Sequence, residues 1–322
     1  MSGGTPTRAI VMILLAMGAI SINDMLIKQL SGAYPLHQMV FIRSVIGVIF
    51  TSVILWREGG FALLRTDQPG LHLVRALLIV TANMTYFAAL AVMPLGVATA
   101  LFFVAPLLIT LLAIPVLGER VGPHRLVALV VGFAGVGVMM LPATDWGEVP
   151  RGALFLPVAA AACYAGMQVM TRKLGAKSAA SAMAIYIQGA FILVSTGFWL
   201  AVGDGRLAGQ VENESLVFLL RAWSRPDTSD LWKFAVLGLA SGIVGYCLSQ
   251  AYRLGDAATV SSYEYAALPL AIFWGWVIFG ERPGWVMLLG TALIAGAGLY
   301  VFARERRRPG VGPATERPIR RV

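Results

Sequence analysis

Apolar residues gather into ten runs, near 9–27, 36–56, 71–92, 95–117, 124–141, 153–171, 181–202, 233–253, 257–279 and 284–303. Each holds roughly 20 residues, enough at 1.5 Å per residue to cross a hydrocarbon slab about 30 Å thick. Inside such a slab no water satisfies backbone N–H and C=O groups, so continuous runs of this kind must be helices. The pattern therefore predicts an all-α integral membrane protein of ten transmembrane helices. The first run follows a single arginine and meets no small-residue cleavage site before Lys28, so it reads as a retained span.

The halves of the chain repeat one another. Tyr86, Ala91, Ala98 and Thr99 recur 160 positions later as Tyr246, Ala251, Ala258 and Thr259. A proline follows in each half, Pro106 and Pro269, and the span then ends in Gly-Glu-Arg, at 118–120 and again at 280–282. Glycine pairs come later, Gly135 with Gly137 and Gly296 with Gly298. Asn23, Met25 and Lys28 face Gln168, Met170 and Lys173 more weakly. Ten helices thus become five used twice. Because five is odd, the second set enters the membrane from the opposite side, which makes the repeat inverted. Inverted halves give two related conformations around a site near the midplane. Pro106 and Pro269 each free a backbone carbonyl, read either as a tolerated kink or as the hinge of a broken helix lining a cavity.

Composition agrees with a membrane protein. Hydrophobic residues make up 58% of the chain and charged residues 13%, where soluble domains carry roughly 25% charge. The net charge of +9 does not call for nucleic acid, because seven arginines lie in the last 19 residues. Counted on alternate sides of the spans, Lys and Arg divide 16 against 7, which predicts that both termini are cytoplasmic. Cys163 and Cys247 sit within apolar runs, and His37, His72 and His124 are scattered, so neither a disulfide framework nor a metal site is expected.

Ionisable groups inside spans cost about 2.5 to 3.5 kcal/mol each and are functional candidates by default. Asp24 and Arg43 lie at depths within about 5 Å of each other, and Arg75 and Glu264 form a second depth-matched couple. Alternatives stay open: Asp24 and Lys28 are spaced as an i, i+4 pair, and Arg75 can snorkel to the headgroups. Glu264 is deep and sits in Ser261-Ser262-Tyr263-Glu264-Tyr265. Asn83, Tyr86, Tyr164, Gln168, Tyr246 and Gln250 supply amide and phenol groups suited to orienting a polar ligand.

The two five-helix halves, the Ala-Thr to Pro to Gly-Glu-Arg series and the later glycine pair resemble the drug/metabolite transporter superfamily in its ten-helix EamA-type branch. The resemblance divides the chain into one EamA-type repeat at 9–141, a second at 153–303, and a basic cytoplasmic tail at 304–322. Within that branch, Asn23-Asp24 with Lys28, Phe41-Ile42-Arg43 and His72 to Arg75 are similar to the S-adenosylmethionine carrier group. The resemblance implies that helices 1, 3, 4, 6, 8 and 9 surround a substrate cavity. It implies a secondary active permease of the bacterial inner membrane, moving a small polar metabolite, amino-acid-like or an amine, by alternating access. Glu264, Arg75, Asp24, Arg43, Asn23, Tyr86, Gln168, Tyr246 and Tyr263 are the expected substrate or proton ligands. No catalytic residue, cofactor or metal is expected; the expected partners are membrane lipid and a coupling proton, and homodimerisation stays open. There is no G-x-x-x-x-G-K-[ST] loop to bind ATP. An intramembrane lipid-modifying enzyme and a nontransporting membrane subunit are the rival readings.

Overall fold

Helices α1 (Thr5–Leu30), α2 (Leu36–Glu58) and α3 (Pro69–Leu90) follow one another through short turns. Proline sets two of these starts: Pro35 stands at the N-cap of α2, and Pro69 opens α3, where its missing N–H costs nothing. These bounds come from a computed structural model, which describes residues 5–118, 123–140, 151–175, 178–255 and 257–306. The fourth run is interrupted, giving α4 (Leu95–Phe102) and α5 (Ala105–Leu117), and α6 (Pro123–Met140) completes the first half. The second half holds α7 (Phe155–Leu174), α8 (Ala180–Val202), a short α9 (Glu214–Leu220), α10 (Leu231–Leu254), the interrupted pair α11 (Ala257–Glu264) and α12 (Ala267–Phe279), and α13 (Trp285–Arg306).

Seven helical stretches are long and apolar enough to span a membrane, among them Leu95–Leu117 counted through its break. Three shorter apolar helices occupy the remaining runs, Leu126–Val138, Ala267–Phe279 and Trp285–Tyr300, so seven and three recover the ten. The bundle is apolar outside as well as inside. Ile49, Leu77, Val130, Leu193 and Leu200 are exposed, the face a lipid-embedded helix presents, while Arg43, Arg75, Gln168, Gln188 and Glu264 are buried. Trp56, Trp199, Trp232 and Trp285 are exposed near span ends, where an amphipathic ring suits the headgroup layer.

The repeat is visible in how the helices pair. The first span packs on the eighth (α1 on α10) and the third on the sixth (α3 on α7), two pairings that interchange when the halves are swapped. The second packs on the seventh (α2 on α8) and the fifth on the tenth (α6 on α13), pairings that the swap leaves unchanged. Both interrupted spans end alike. Gly118 closes α5 at φ 72° and Gly280 closes α12 at φ 66°, left-handed caps that a side chain would strain. Each is the glycine of a Gly-Glu-Arg sequence; Glu119 and Arg120 of the first copy, and the tail from 307 on, lie outside the described residues.

The segment between α8 and α10 folds back over one end of the bundle. Asn213 caps α9 by accepting from the Leu216 N–H at 3.2 Å, and the Ser215 hydroxyl donates to the Ala88 carbonyl at 2.6 Å. Gln38 holds Ser224 at both its carbonyl and its N–H. His37 packs against Phe198 and Trp223.

Candidate functional site

A cavity of about 150 Å³ lies between the halves, lined from α1, α2, α3, α4, α7, α8, α10 and the broken α11–α12 span. An apolar cavity of that order accommodates a single aromatic ring. Two charged clusters face it.

The first is built on α1, α2 and α3. Arg43 spreads its guanidinium between two amides, donating to Asn23 Oδ1 and Asn83 Oδ1, each at 2.9 Å. Phe87 and Phe191 flank it at 5.5 and 5.3 Å from their ring centroids, a geometry that stabilises a desolvated cation. Asn23 passes the interaction on, its Nδ2 donating to Asp24 Oδ1 at 3.0 Å. Tyr86 donates to Asp24 Oδ2 at 3.2 Å and shares a 3.0 Å bond with Thr99 of α4. Asp24 and Arg43 are thus relayed through Asn23 and form no direct ion pair.

The second cluster centres on Glu264 at the end of α11. Tyr164 and Tyr252 both donate to the same carboxylate oxygen, Oε1, at 3.1 and 2.6 Å. Gln168 donates to the Tyr164 hydroxyl at 2.6 Å. Depth-matching couples Glu264 with Arg75, and the structure corrects that. Arg75 instead donates to Thr171 Oγ1 at 2.6 Å, the Met183 carbonyl at 2.9 Å and Ser249 Oγ at 3.2 Å. Neutral acceptors from α7, α8 and α10 fill its fork, and tyrosines take the carboxylate. Nor does Arg75 snorkel: it is 2% exposed.

Three further expectations change. Lys28 does not pair with Asp24 one turn away but with Glu281 of the second Gly-Glu-Arg, at 2.5 Å, while also donating to the Met93 carbonyl at 2.8 Å. Tyr246 does not line the cavity; it donates to Glu58 at 2.8 Å, and Ser181 donates to the same carboxylate at 2.5 Å. Tyr263 is partly exposed and likewise lies outside the lining. Asp24, Arg43, Asn23, Tyr86, Asn83, Arg75, Gln168, Tyr164 and Glu264 all line it. Pro106 and Pro269 stand just inside the helices that resume after the breaks at 103–104 and 265–266.

Sequence reading missed Tyr252, Gln188 and Glu281. Gln188 lines the cavity and donates to the Ser241 carbonyl and hydroxyl at 3.1 and 3.0 Å. A signal for it existed: the offset of 145 that takes Asn23 to Gln168 also takes Arg43 to Gln188.

A largely apolar cavity faced by buried charged side chains, set between two halves of a helical membrane protein, fits a solute permease, since intramembrane charge marks a functional site and a site between repeats is where such proteins hold their solutes. The chain belongs to the EamA-like transporter family, whose model matches residues 7–141 and 151–303. A riboflavin transporter of Rhizobium johnstonii is 30% identical over 308 residues, covering 94% of each chain. An S-adenosylmethionine uptake transporter of Rickettsia prowazekii is 26% identical, covering 91% of this chain and 92% of that one. A crystal structure sharing 21% identity superposes with a TM-score of 0.67 over 95% of this chain and all of the other, which speaks to the fold. The protein is a multi-pass membrane transporter of a small molecule, and the enzyme reading is set aside.

Proposed function

We propose that the chain is a secondary active carrier that works by alternating access in the bacterial inner membrane, with both termini cytoplasmic. Its substrate is a small polar metabolite with a planar ring and an amine or ring N–H. The observation that carries this reading is the cavity itself: two carboxylates and two guanidinium groups, none ion-paired with another, gathered with Tyr86, Phe102 and Tyr164 between the repeats. Riboflavin and S-adenosylmethionine, named for the relatives, both contain a heteroaromatic ring with polar appendages, which favours a ring-bearing solute over a simple amino acid. Glu264 takes the coupling proton or meets the donor group of the substrate, and Pro106 and Pro269 give α5 and α12 the freedom to tilt about their breaks. The test is flux of labelled riboflavin, S-adenosylmethionine and a metabolite extract through vesicles containing the purified chain, with and without a pH gradient. Flux that exceeds protein-free vesicles supports the reading. Its absence for every solute, in both exchange and gradient-driven modes, would sink it.

A further inference from the structure

The hydrogen-bond direction around Glu264 fixes more than the position of that carboxylate. Tyr164 has one hydroxyl proton and spends it on Glu264 Oε1. Toward Gln168 it can therefore act only as an acceptor, so Gln168 must present its NH₂. That orientation leaves Gln168 Oε1 buried with no partner. Because Tyr164 and Tyr252 both occupy Oε1 of Glu264, its Oε2 stands apart from these two bonds. Gln168 and Glu264 both line the cavity and together offer it an acceptor edge, with Gln168 Oε1 itself covered in this conformation. In the first-half cluster, Arg43 Nε is the converse: a buried donor with no partner, on a residue that lines the same cavity.

Between the two clusters runs a row of aromatic rings. Phe102 lies 5.1 Å from Tyr86 and 5.2 Å from Tyr164, centroid to centroid. Tyr86 belongs to the Asp24 cluster and Tyr164 to the Glu264 cluster, so Phe102, which also lines the cavity, links the two. Buried polar atoms without partners are costly, and a ligand that satisfies them recovers the difference.

We infer that the cavity recognises a planar heterocycle by its own N–H donor on Gln168 Oε1 and Glu264, and by an oxygen or ring-nitrogen acceptor on Arg43 Nε, with Gln168 as the residue that selects for the N–H. This rests on the permease reading of the same cavity. Tyr252 and Tyr164 are positioning residues, since they hold Glu264 and turn the Gln168 amide.

Two probe pairs test it on the purified full-length chain in detergent: riboflavin against its N3-methyl derivative, and adenosine against N6,N6-dimethyladenosine. Affinity is read by flavin fluorescence quenching and by thermal shift. Wild type is expected to prefer at least one parent over its methylated form by about ten- to a hundredfold, the range set by one buried group left unpaired. Gln168→Met has similar volume and no amide, so it removes the acceptor without opening space for the methyl group, and is expected to bring the two affinities within about threefold of each other. Should Gln168→Met not fold, Tyr164→Phe frees the amide to turn and is expected to erode the same preference while leaving Gln168 in place. Equal affinity for parent and methylated ligand, binding of neither pair, or a preference that survives both substitutions overturns the inference. Vesicle flux keeps the two ideas apart. Transport without discrimination rejects the acceptor edge alone, and discrimination in micelles without transport rejects the carrier alone.

Discussion

Replacing Lys28 with Met removes the cation that ties three segments together at one end of the bundle. Lys28 Nζ reaches Glu281 Oε1 at 2.5 Å and the Met93 carbonyl at 2.8 Å, and Glu281 Oε2 accepts from the Leu95 N–H at 2.9 Å. Glu281 thereby also sits on the positive end of α4. Removing one member of a buried, hydrogen-bonded ion pair costs about 3 to 5 kcal/mol. Lys28 and Glu281 are 15% and 22% exposed, and solvent screening reduces the figure to roughly 2 to 3 kcal/mol. At about 1.4 kcal/mol per tenfold, that is roughly a 30- to 150-fold rise in the population in which this contact is broken. The assay is the rate at which a maleimide modifies Val97→Cys. Val97 is 1% exposed and lines a second pocket together with Glu281, so its labelling reports loss of this contact. Lys28→Met and Glu281→Gln should each speed labelling, and the double variant should fall well short of the product of the two effects, as expected for directly coupled residues. The charge swap Lys28→Glu with Glu281→Lys should rescue only in part, because a lysine at 281 meets the N-terminus of α4 unfavourably. Independent effects that multiply, or labelling at the wild-type rate, would refute the reasoning.

Other outcomes follow from the same geometry. Glu264→Gln should abolish pH-driven uphill flux while sparing exchange if the carboxylate carries the proton, and should weaken both if it holds substrate; unchanged flux, affinity and pH dependence would show the residue to be structural. Gly47→Leu should cost about 1 to 3 kcal/mol by overpacking, because a Cβ there meets the Gln188 amide and the Gly242 backbone; a detergent melt matching wild type would contradict that close approach. For topology, Ser229→Cys should react with an impermeant reagent in intact cells and Ala314→Cys only after permeabilisation. The reverse pattern would invert the orientation.

Hydrophobic run length made the spans legible, since twenty apolar residues in a row admit few alternatives, and Pro106 and Pro269 marked the two spans that break. Side-chain partners were far less legible. Lys28 and Glu281 are 253 positions apart, and Arg75 bonds to residues 96, 108 and 174 positions away; no local spacing reports such meetings. Depth along a helix gives one coordinate, and pairing Arg75 with Glu264 required the missing rotation about each axis. Part of that rotation was available on α10. Ser241, Val244, Gly245, Leu248 and Ser249 line the cavity at steps of three and four, a single stripe on a helix. Tyr252 continues that stripe and Tyr246 falls off it, which is why Tyr252 reaches Glu264 while Tyr246 turns to Glu58.

The pairing of the helices bears on how the chain is made. Every span finds its most extensive packing with a span of the opposite half. While the ribosome is still adding α7 to α13, the first five spans are therefore in the bilayer without the surfaces they are shaped to meet. Arg75 illustrates the exposure: all three of its partners lie on α7, α8 and α10, so until those helices arrive its guanidinium must be accommodated by water, lipid headgroups or the insertion machinery. Assembly on this plan is a late event, and a product that stops near residue 150 leaves Arg75 without any of the partners it has in the finished bundle.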